Sequence, residues 1–87
     1  MRGRVKKLER EVRERRPDEW KVFRVEVERI RLAYRKSPRY LINRAIERVM
    51  LGILGGKRVE LEKEVQEELD RWKEETIRAL DRLEGGV

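Results

Sequence analysis

WKVFRVEVERIRLAY, residues 20–34, is the stretch on which the fold turns. Read as a helix, it sets Trp20, Phe23, Val27, Ile30 and Tyr34 on one face, at alternating steps of three and four residues. Read as a strand, it offers Val25 and Val27 alternating with Arg24, Glu26 and Glu28, and the β-branched crowding of residues 22–27 suits that state. The helical seam holds for fifteen residues and the alternation for about five. The longer pattern predicts a helix, and with it an all-α fold.

Working outward, Pro17 followed by Asp18 and Glu19 marks the start of that helix: a proline suits the first turn, and acids suit its positive end. Upstream, residues 4–16 carry only a thin seam of Val5, Leu8 and Val12, flanked by an i,i+4 pair of Glu11 and Arg15. This segment is expected to act as a basic arm, with Arg2, Arg4, Lys6 and Lys7 along it. Downstream, Ser37 reads as an N-cap and Pro38 as the first helical residue. A broad stripe of Leu41, Ile42, Ala45, Ile46, Val49, Met50, Ile53 and Leu54 follows and belongs at the centre of a core. Gly52 is costly inside a helix unless another segment approaches it closely, and Gly55-Gly56 ends the element. The last segment keeps Leu61, Val65, Leu69, Trp72, Thr76, Leu80 and Leu83 on one face, with Glu67–Arg71 and Glu74–Arg78 as outer pairs. The chain thus divides into a basic N-terminal helix or arm (1–16), a central helical hairpin (17–56) and a long amphipathic helix (57–84) within one small domain. Three or four helices are expected.

One local resemblance competes with this division. SPRYLINRAI, residues 37–46, resembles the second helix of ribbon-helix-helix repressors, which often opens at a serine and runs apolar–apolar–polar–Arg–Ala. That family implies a strand and a first helix of about three turns before the serine. Here the strand candidate ends near Glu28, leaving eight residues for the first helix, and Glu26 and Glu28 would face phosphates. The resemblance stops at ten residues, and the helical division is kept.

Size and composition narrow the function. A chain of 87 residues buries a smaller fraction of its surface than a larger one and holds no cysteine to staple it. Self-association is therefore expected, most simply as a homodimer, with Trp20, Phe23, Val27, Ile30, Leu69 and Trp72 as its seam. No apolar run is long enough to cross a membrane, and no apolar stretch follows the basic N-terminus as a secretory signal would require. A cytoplasmic or virion-associated location is expected. One Asn, one Gln, two Met and 48% charged residues match the bias of thermophile proteins.

Catalysis is hard to assemble from these residues. There is no His and no Cys, and Ser37 and Thr76 are the only aliphatic hydroxyls, so nucleophile, base and orienting group do not come together. The same absence removes the usual zinc ligands. Neither a cofactor, a metal nor a small-molecule substrate is suggested.

Charge points elsewhere. Residues 1–44 carry 16 Lys/Arg against 7 Asp/Glu, a net of +9; residues 45–87 carry 8 against 11, a net of −3. Between Arg29 and Ile46 there is no acid, and there are six bases. This run spans a helix junction, where free N–H groups, a hydroxyl and forked guanidinium groups form a phosphate site. The expected partner is nucleic acid, with Arg31, Arg35, Lys36, Ser37, Arg39, Tyr40 and Arg44 making contact and DNA backbone as the main target. The rival expectation is a self-assembling structural or adaptor protein, in which Glu60, Glu62, Glu64, Glu67 and Glu68 of a neighbour neutralise the run.

Overall fold

The computed structural model describes residues 2–85, and side chains from Arg4 onward. It contains four helices in the order α1 (Arg2–Arg15), α2 (Pro17–Ala33), α3 (Arg39–Leu54) and α4 (Leu61–Gly85), with no strand among the described residues. Residues 20–28 are helical. The β-branched run is accommodated because its alternate members point to water: Val22 and Val25 are exposed, while Phe23 is buried and Val27 half-buried. No helix is long and apolar enough to cross a membrane.

α3 lies at the centre, as its broad stripe requires. Leu41, Ile42, Ala45, Ile46, Val49, Met50 and Ile53 are all buried, and the helix packs most extensively on α4 and α1. Its contact with α2 is the smaller one, so the sequential pair 17–56 is not the tightest packed pair in the fold. The basic N-terminal segment is a helix, α1, and it docks on the core of its own chain. Val12 is fully buried, Val5 nearly so, and Leu8 packs against the same core. A thin seam suffices here because α3 is apolar over a wide enough arc to receive two helices. A single residue, Arg16, joins α1 to α2, its N–H donating to Val12 O at 2.7 Å and its carbonyl accepting from Trp20 N at 2.9 Å.

The seam assigned to a partner is used largely inside the chain. Phe23 and Ile30 are buried in the core, and Trp20, Val27 and Leu69 pack against it. Trp20 and Phe23 meet with ring centroids 6.4 Å apart. One chain therefore closes a core that the sequence alone divides between two, because α1 supplies the missing cover.

The turn after α3 follows the glycine pair. Gly56 adopts φ +78°, which an L side chain resists. Its N–H donates to Ile53 O at 3.0 Å and that of Lys57 to Gly52 O at 2.8 Å, closing a Schellman motif. Gly52 has a packing role: a Cβ there would stand 3.4 Å from Val59, which returns over the end of α3.

α4 runs on beyond this body. At about 1.5 Å per residue it is nearly 40 Å long, in a molecule measuring 55 × 22 × 21 Å. Its first half buries Leu61 and Val65; from Asp70 to Gly85 every residue is exposed except half-buried Trp72.

Candidate nucleic-acid interface

The α2–α3 junction is built differently from its sequence reading. α2 stops at Ala33, and Tyr34 closes it by donating its N–H to Ile30 O at 2.9 Å. Ser37 then donates its N–H to Tyr34 O at 2.9 Å, so it belongs to the turn and is not the N-cap. Pro38 takes that place, with φ −59°, ψ 129° and no side-chain cap, and its carbonyl accepts from Leu41 N at 3.2 Å. Pro38 itself has extended backbone, so the first helical residue is Arg39 and the cap position moves one residue on from Ser37. The open N-terminus of α3 remains, and no residue of its first turn is acidic.

Around this junction lies a wide, open cleft of about 850 Å³. Arg31 and Arg35 reach it from α2 and the following turn, Arg39 from the start of α3, and Lys6 from α1. Tyr34, Ser37 and Tyr40 also line it. Three helices thus converge four bases on one concave surface. The sequence groups Lys6 with Arg2, Arg4 and Lys7 as a basic arm; docking of α1 brings it to the cleft. Arg4 and Lys7 are exposed outside it, and the side chain of Arg2 lies outside the described residues.

Two expected contacts fall elsewhere. Lys36 is exposed in the turn but does not line the cleft. Arg44 lies over the ring of Tyr40, its guanidinium carbon 5.4 Å from the centroid, beside a shallow depression shared with Glu68, Arg71, Trp72 and Glu75 of α4. Tyr40 is half exposed and separates the two hollows. Tyr34 is half-buried against the core, its hydroxyl accepting from Gln66 Nε2 at 3.4 Å.

Sequence reasoning passed over Asn43 and Glu9, which also line the cleft. Asn43 carried a signal, standing one helical turn after Arg39 on the same face. Glu9 did not, because which edge of α1 meets the junction depends on how α1 docks. As the one acid of the lining, it lowers the local positive potential.

Within the chain the acids of α4 reach the basic run at one residue. Glu64 and Glu68 meet Arg48, outside that run, at 3.3 and 2.8 Å. Arg71 turns to Glu68 at 3.7 Å in place of Glu67. Of the six run bases only Arg29 finds an acid, exposed Glu62 at 4.0 Å. Among the described residues, Arg31, Arg35, Lys36, Arg39 and Arg44 make no ion pair. No group of three or more acids there is placed to hold a metal ion.

Comparisons with protein-family models, curated proteins and solved structures find no match. The functional reading therefore rests on this chain's own residues.

Proposed function

We propose that this chain is a small, basic, non-enzymatic nucleic-acid-binding protein that grips the phosphate backbone, with DNA as its main target, as a homodimer. The observation that carries the reading is the convergence of Lys6, Arg31, Arg35 and Arg39 on one open cleft, where none of them has an ion-pair partner among the described residues. Free cations held together on a rigid surface repel one another, and a polyanion relieves that repulsion. Arg39 stands at the N-terminus of α3, whose unsatisfied N–H groups add to the attraction. Tyr40, half exposed at the rim, offers a hydroxyl to phosphate or a ring face to a base. Regulation, compaction and packaging of a genome all use contacts of this kind.

Salt separates this reading from that of a structural protein assembled through an apolar seam, which persists as salt rises. Four phosphate contacts in each cleft give a log–log slope of about −3.6 per engaged cleft, so raising salt from about 50 to 200 mM weakens binding roughly a hundredfold for each cleft. Titration of duplex and single-stranded DNA and RNA at these two concentrations tests it. Replacing Arg35 and Arg39 with Ala should flatten the slope by about two for each engaged cleft. Absence of binding at the lower salt ends the proposal.

A further inference from the structure

Half of α4 has no counterpart inside its own chain. Leu69, Trp72, Thr76, Ala79 and Leu83 follow one another at steps of three and four, an uninterrupted coiled-coil seam. This seam extends the face on which Leu61 and Val65 are buried, yet past half-buried Trp72 it faces water. Ile77, Leu80 and Leu83 are 58%, 54% and 71% exposed.

We propose that residues 70–85 of α4 pair antiparallel with the same residues of a second copy, forming a two-fold homodimer. The body of the molecule lies on the seam face of α4, one turn further back. A parallel partner would need that same space for its own body, whereas paired helix axes stand only about 8–10 Å apart. An antiparallel partner carries its body beyond the far end. Its helix ends where the first body begins.

Side-chain size and charge select one register. With Trp72 opposite Leu83 of the second copy, Thr76 lies opposite Ala79 of the second copy, and the two-fold repeats both layers. Large residues meet at the two ends, and small ones let the helices approach at the centre. In an antiparallel pair each flank faces its own equivalent. One flank then sets Glu75 near Arg82 of the second copy, and the other sets Lys73 near Glu84 of the second copy. All four are exposed in the single chain. Arg71, a further base on the Glu75 side, is already held by Glu68. Parallel pairing would place Glu75 against Leu80 and lose this match.

The chain has no cysteine, so crosslinking reads the register directly. In the absence of nucleic acid, W72C mixed with L83C should form a disulfide-linked pair. Neither should crosslink with itself, because like positions lie about 16 Å apart along the helices. For sedimentation equilibrium of the full chain in the micromolar range, Glu75→Arg or Arg82→Glu alone should weaken association about tenfold. The double variant should restore it. A wild-type monomer, self-crosslinking of L83C, or a double variant no tighter than the singles would each overturn the proposal.

Discussion

Among the described residues Glu68 is the one buried charged residue, 2% exposed on α4. Its Oε1 stands 2.8 Å from Arg48 Nη2 and 3.7 Å from Arg71 Nη1, without an aligned hydrogen bond. The two arginines are about half exposed and remain hydrated if the carboxylate is removed. The carboxylate has no such recourse if Arg48 goes. Losing a partner of a fully buried pair costs about 3–5 kcal/mol; with Arg71 remaining and Arg48 partly solvated, Arg48→Met should cost about 2 kcal/mol. Glu68→Met, beside Val65 and Leu69, should cost less than about 1 kcal/mol. Denaturant midpoints of the two variants check the asymmetry. Equal losses would mean that the burial of the carboxylate is not what matters.

At the scale of the element, α1 is where sequence and structure part most. Pro17 and the glycine pair at 55–56 marked helix ends because each acts through its own backbone, and those ends are observed. Residues 20–34 declared a helix because a fifteen-residue seam outlasts a five-residue alternation. The role of α1 was not legible. Val5, Leu8 and Val12 make a seam too narrow to specify a partner, and the arc of α3 that receives them is visible only once α4 and α2 are placed. The same docking decides that Lys6, and not Lys36, joins Arg31, Arg35 and Arg39 in the cleft. Docking has an energetic signature. Val12 is fully buried, so Val12→Ala should cost about 2 kcal/mol, between the usual one-methylene and three-methylene deletions. For a chain of this size that lowers the melting temperature by about 8–16 °C. A freely moving arm would show no change.

For the whole molecule, shape and charge combine. α3 runs back along α4, so the start of α3, at Tyr40 and Arg44, lies beside Trp72 and Glu75. The basic cleft therefore opens at the end of the body from which α4 projects. If that projection pairs antiparallel with a second copy, both clefts border one helix pair, their Trp72 positions roughly 16 Å apart along it. One nucleic acid can then be held by two clefts at once, and the second contact becomes intramolecular. Two substitutions at opposite ends of this arrangement should act differently. Arg35→Ala with Arg39→Ala removes phosphate contacts from each cleft and should leave the sedimentation profile unchanged. Leu83→Asp touches no cleft residue and should give a monomer. In that monomer about four phosphates are neutralised in place of about eight, so the salt slope should fall to roughly half its wild-type value. Affinity should fall by more than the loss of one cleft explains, because the gain from tethering goes with it. Binding isotherms at two salt concentrations, taken beside the sedimentation data, read both quantities. A Leu83→Asp monomer that keeps the wild-type slope would show that one cleft engages nucleic acid alone.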